Sequence, residues 1–131
     1  FTPYTDELII KLAKSGNKND IFIVFPKYAP YYALFSKHQN IEKKYFSALR
    51  TLVNNTQAQV WSFYGNNFIT QNHNNFIDNG WHFKPEIGEK IFEEIFLSSK
   101  KRDDNNSGFF LTKSNLETYL SGLTGEIKSS K

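Results

Sequence analysis

The sequence contains no cysteine and no methionine. Without thiols there is no disulfide, no thiolate nucleophile and no thiolate metal site. The missing methionine, in a chain that opens Phe1-Thr2-Pro3, gives the expectation of a piece of a longer protein. No apolar run approaches the roughly 18–20 residues that a membrane helix needs, and the opening residues carry no signal-peptide pattern. Histidine is scarce too: His38, His73 and His82 show no i, i+4 pairing, the spacing that puts two ligands on one helix face. No metal and no cofactor is expected.

Excess charge of either sign is also small. Sixteen Lys and Arg against 13 Asp and Glu leave a formal net charge of +3, well short of a nucleic-acid footprint. The basic run Lys100-Lys101-Arg102 is followed at once by Asp103-Asp104, which blunts its field, so nucleic acid is not an expected partner. What is abundant is aromatic. The chain has 13 Phe, 7 Tyr and 2 Trp in 131 residues, and 39% of it is hydrophobic. That is enough for a packed core, in one domain or part of one.

Thr2-Pro3 reads as a helix start, with Tyr4, Leu8 and Leu12 as its apolar stripe, Ile9 and Ala13 beside it, and Gly16 as its stop. "SGNKND" is a turn. "IFIVF", Ile21 to Phe25, is an unbroken apolar run closed by Pro26, as expected of a strand buried on both faces. Ile41, Tyr45, Ala48, Leu49, Leu52 and Val53 form the face of a second helix, and "AQVWSFY", Ala58 to Tyr64, a second strand. A strand–helix–strand crossover of this length predicts a parallel pair.

A long Asn-rich loop then leads to Pro85, which opens a third helix with the stripe Ile87, Ile91, Phe92, Ile95, Phe96. Residues 98–108 read as a polar linker. Residues 109–123 read as a short helical segment capped by Ser114-x-x-Glu117, and 124–131 as a flexible tail. Two parallel strands cannot cover each other's faces, since sheets of this kind usually have about five strands. The remaining strands are expected from sequence outside these 131 residues or from another chain.

In open parallel sheets, ligands bind outside the carboxyl ends of the strands. The loop after Tyr64 leaves from that edge and carries "DNGWH", Asp78 to His82. A histidine just ahead of a helix start is suited to act as a general base, and a nearby carboxylate can fix its tautomer. The alternative is that Trp81 and His82 simply pack the loop against the sheet edge.

The pieces "IFIVFPKY", "IEKKYFSALRTLV", "QVWSFYG" and "FIDNGWHFKPEIGEKIF" follow in the order and spacing of a known family. From Ile21 to Leu123 the chain resembles the C-terminal half of bacterial SGNH/GDSL-type hydrolase-like proteins. Their His-centred signature is F-D-x-x-H-[YF]-x-P-E-x-G. The tail "SGFFLTKSNLETYLSGL" resembles the ending of one uncharacterised branch. The resemblance implies an α/β fold, a partial flavodoxin-like three-layer α/β/α sandwich with parallel strands, occupying residues 1–97.

It also implies a Ser-His-Asp triad for ester hydrolysis or acyl transfer. His82 would be the general base and Asp78 its orienting acid. The substrate would be a small ester or an acylated cell-envelope glycan. Apart from the resemblance, Pro26 leaves from the same strand edge as the His82 loop, so Tyr28 and Tyr31, with Trp81, are candidate pocket residues, the alternatives for "YAPYYALF" being core or a partner contact. The domain's remaining N-terminal part would be the structural partner, and an extracytoplasmic or membrane-tethered location would come from upstream sequence.

Two departures stand out. The family spacing counted back from His82 falls on Asn79, so Asn79 is the alternate position of the acid. No G-D-S block is present, and "GNKND" at 16–20, which mimics an oxyanion block, precedes a strand instead of following one. This chain alone therefore lacks the nucleophile. A non-catalytic scaffold with the same fold is the alternative.

Overall fold

The computed structural model describes residues 3–30, 39–65, 67–77, 82–96 and 107–129. Among them stand four α-helices: α1 (Pro3–Ser15), α2 (Gln39–Asn55), α3 (Pro85–Phe96) and α4 (Leu116–Ser129). Five short strands accompany them: β1 (Ile21–Val24), β2 (Gln59–Ser62), β3 (Phe76–Ile77), β4 (His82–Phe83) and β5 (Phe109–Leu111). The fold is mixed α/β.

The turn between α1 and β1 is built by its polar side chains. Asn17 N–H donates to Asp20 Oδ2 at 2.9 Å, and Asn19 N–H to Asn17 Oδ1 at 2.9 Å. Gly16 is required there, because a Cβ at that position would come within 2.7 Å of the Phe22 ring. "GNKND" is thus a turn, as the sequence predicts.

β1 and β2 pair in parallel, Ile21 opposite Gln59 through Val24 opposite Ser62. β5 adds to the other side of β2 and runs antiparallel, giving the order β1-β2-β5. This corrects the expectation of a purely parallel sheet. Glu94 Oε1 accepts the backbone N–H of Ser107 and, at 3.0 Å, that of Gly108. Gly108 also meets the tip of the Phe63 ring, which would lie 2.5 Å from a Cβ added at that position. These contacts hold the start of β5 at the carboxyl end of β2, so the strand runs back along it.

Side chains alternate across the sheet, and two cores result. Val60 and Leu111 join Leu49 and Val53 of α2 and Leu116, Leu120 and Leu123 of α4, with Phe22 and Val24 packed against them. On the opposite face, Ile23 and Trp61 pack with Phe63, Ile69, Phe76 and, from α3, Ile87 and Ile91. Helices therefore cover both faces.

In the α2 stripe Leu49 and Val53 are buried and Tyr45, Ala48 and Leu52 half-buried, as the spacing predicts, but two other stripes are corrected. Leu8 and Leu12 of α1 are 46% and 50% exposed, while Ala13 of that helix is fully buried. In α3, Phe92 and Phe96 are 59% and 57% exposed, while Glu94 is buried. Glu94 lies three residues past Ile91, on the same helix face, and two backbone N–H groups donate to its Oε1 there.

The last helix also starts differently from its predicted cap. Thr112 and Asn115 form the reciprocal box: Thr112 N–H donates to Asn115 Oδ1 at 2.8 Å, and Asn115 N–H to Thr112 Oγ1 at 3.3 Å. Glu117 instead binds Arg50 of α2 in a two-pronged ion pair, with contacts of 2.8 and 2.9 Å. α4 continues to Ser129, past the predicted end at residue 123.

Candidate functional site

His82 is carried by a two-stranded ribbon. β3 and β4 pair antiparallel, Ile77 opposite His82 and Phe76 opposite Phe83. Lys84 N–H extends the ribbon by donating to Asn75 O at 2.9 Å. Directly opposed residues share a face, and successive residues alternate. Phe76 and Phe83 therefore face the core, while Ile77 and His82 face outward. Burial agrees: Phe76 is buried and both Ile77 and His82 are exposed.

What fixes the ribbon is Phe83. Its ring lies 5.3 Å from that of Phe25, the residue directly after β1. It also sits over the first turn of α3, at 3.4 Å from where a Cβ of Gly88 would be. The ribbon is thus clamped to the carboxyl end of the parallel pair, the edge where open sheets bind ligands. α3 begins two residues later. Lys84 O accepts the N–H of Ile87 at 2.9 Å and of Gly88 at 3.3 Å, and Pro85 takes the first helical position, where it needs no donor.

The Asn-rich loop between β2 and the ribbon is a closely bonded turn. Asn67 Oδ1 accepts the N–H of Ile69 and Thr70 at 3.0 and 3.1 Å, and its Nδ2 donates to Phe63 O at 3.0 Å. The Thr70 hydroxyl, fully buried, donates to Gly65 O at 2.5 Å. Asn72 caps the short 3-10 turn His73–Asn75, and Asn75 Nδ2 donates to Ile69 O at 3.0 Å. Gly65, with φ of 109°, takes a left-handed conformation at the start of this turn. Asparagine is abundant here because its amide binds backbone that no sheet satisfies.

Of the residues the sequence singles out, Tyr28 does reach the ribbon, but on its inner side. Its ring packs 5.2 Å from His73, edge-on, and 5.9 Å from Phe76, on the face opposite His82. Asp78, Asn79, Trp81 and Tyr31 lie outside the described residues. Ser62 lies at the carboxyl end of β2, but its Oγ is 2.6 Å from the Tyr119 hydroxyl of α4, on the sheet face opposite the ribbon. It is not a nucleophile for His82.

Among the described residues, no three His, Asp or Glu side chains converge as a metal site would require. None of the described helices is long and apolar enough to cross a membrane. Sequence reasoning missed Glu94 and Tyr119, two side chains that tie distant segments together. Both fall on buried helical stripes, Ile87-Ile91-Glu94 and Leu116-Tyr119-Leu120-Leu123, so spacing alone carried the signal. Comparison with protein-family models, with curated proteins and with solved structures finds no match to this chain.

Proposed function

We propose that these residues form the His-bearing portion of an SGNH/GDSL-type esterase or O-acyltransferase, built on a flavodoxin-like three-layer sheet. One observation carries the reading: His82 stands exposed on a ribbon clamped to the carboxyl end of a parallel strand pair, just ahead of the α3 N-terminus. The nucleophilic serine belongs to a preceding part of the same domain, which is this segment's structural partner.

In that arrangement His82 takes the serine hydroxyl proton as the oxygen attacks an ester carbonyl, then returns it to the leaving alcohol. Water or a sugar hydroxyl then receives the acyl group. Asp78, or Asn79 in its place, orients the imidazole. The substrate is a small ester or an acylated envelope glycan, which fits an extracytoplasmic enzyme.

A fluorophosphonate probe on the longer parent protein tests this. Labelling of an upstream serine, lost in His82→Ala, is the expected result. No labelling of a folded parent favours a non-catalytic scaffold. That second reading draws on the loop itself, where Asn67, Asn72 and Asn75 bind backbone in place of a ligand.

A further inference from the structure

Among the described strands, β1 has one edge with no partner. Asp20 O accepts from Gln59 N–H at 3.1 Å and Val24 O from Phe63 N–H at 2.9 Å. Backbone groups alternate in direction along a strand. The N–H and C=O of Ile21, Ile23 and Phe25 therefore point away from β2, and no described strand pairs with them. Edge strands are normally blunted by charge, proline or a bulge. β1 reads Ile-Phe-Ile-Val, with none of these inside it.

Apolar surface is left uncovered on the helices of both faces. On one face α1 leaves Leu8 and Leu12 exposed; on the other, α3 leaves Phe92 and Phe96 exposed and stacked at 5.4 Å. Phe92 and Phe96 lie on the flank of α3 opposite Glu94. Glu94 reaches toward the start of β5, and the two rings face solvent on the far side of the helix. Phe25, 54% exposed, closes the β1 edge at its carboxyl end.

Handedness selects the occupant. Crossovers between parallel strands are right-handed in nearly every case. Applied to β1–α2–β2, the rule fixes α2 on one face as the chain steps from β1 to β2. α1 packs on α2, and the Gly16 turn that ends it meets Phe22 and Thr56, so it lies on that same face. A strand feeding α1 with the same hand must therefore lie on the other side of β1 from β2. We infer that the open edge of β1 receives, in parallel, the strand that immediately precedes α1 in the longer chain. The inference rests on the reading above that a preceding part of the same domain exists, but not on its chemistry.

Hydrogen exchange resolved at Ile21, Ile23 and Phe25 tests it, comparing the longer parent with the 131-residue chain. Exchange on the order of 100-fold slower in the parent is expected, as for an amide that opens only with the sheet. In the 131-residue chain the same three amides should exchange fast at every concentration. Fast exchange in both proteins overturns the inference. Protection in the short chain overturns it as well: if it grows with concentration, a second copy occupies the edge, and if it does not, the chain covers its own edge. Probe labelling of the parent is scored separately, so loss of the hydrolase reading and loss of this docking geometry give different results.

Discussion

The Tyr119 hydroxyl joins two elements by donating to Tyr64 O at 2.9 Å while standing 2.6 Å from Ser62 Oγ. Since a phenol has one proton, Ser62 must be the donor in the second bond. The Ser62 oxygen in turn lies 3.3 Å from Tyr64 N–H. One helix residue thus satisfies the carboxyl end of the central strand, inside a core where unmet polar groups are costly.

Removing one member should leave the others orphaned. Tyr119→Phe is expected to destabilise the fold by about 1–2 kcal/mol and Ser62→Ala by about 1 kcal/mol. The double variant should lose less than the sum, because the two groups share one bond. Urea denaturation of the four proteins measures it, and strict additivity would refute the coupling.

Glu94→Ala removes the acceptor for two buried amides. A loss of about 2–3 kcal/mol is expected, with faster hydrogen exchange at Ser107 and Gly108. Glu94→Gln keeps an acceptor oxygen and should recover part of the stability.

Two glycines should respond with opposite signs. At Gly108 a methyl group would enter the Phe63 ring, so Gly108→Ala should cost about 1–3 kcal/mol. At Gly122, within α4, nothing lies within 4 Å of an added Cβ. Gly122→Ala should raise stability by about 0.5–1 kcal/mol through helix propensity. Thermal melts of both variants decide the matter.

The Glu117 carboxyl is held below its ordinary range, first by the hydrogen bonds from Arg50; desolvation opposes this, and coulombic attraction to Arg50 adds to it. Arg50 is correspondingly raised. A lowered carboxylate stabilises the fold above the ordinary carboxylate pKa, and the contribution fades as pH falls through the lowered folded value. Carboxyl NMR titration should show Glu117 rising toward the ordinary value in Arg50→Gln. High salt should produce part of the same rise.

His82→Ala is expected to leave stability within about 0.5 kcal/mol of the original, as for most exposed positions. In the longer parent it should abolish labelling by a fluorophosphonate probe. Loss of folding in place of labelling would make His82 a packing residue.

Much of the local structure was legible in the sequence. The Asn17–Asp20 turn and Pro85 each act through neighbours a few residues away, and such short-range chemistry does not depend on the rest of the fold. The α2 stripe also holds, since both its flanks meet packed elements. Leu8, Leu12, Phe92 and Phe96 are as apolar and as regularly spaced as the residues that bury. Helical spacing fixes which residues share a face, but not what stands opposite that face.

The sequence by itself determined where α1, α2, α3, β1 and β2 form, that β1 and β2 run parallel, and that His82 precedes a helix start. Backbone dihedral preferences, turn chemistry and crossover length decide those features locally. Only the tertiary structure decided that β5 runs antiparallel, that Glu94 and Tyr119 hold the sheet to its helices, and that His82 and Tyr28 take opposite faces of one ribbon. Those outcomes depend on contacts between residues far apart in the chain, such as Phe25 with Phe83 and Ser62 with Tyr119. No window of sequence contains both partners of such a pair.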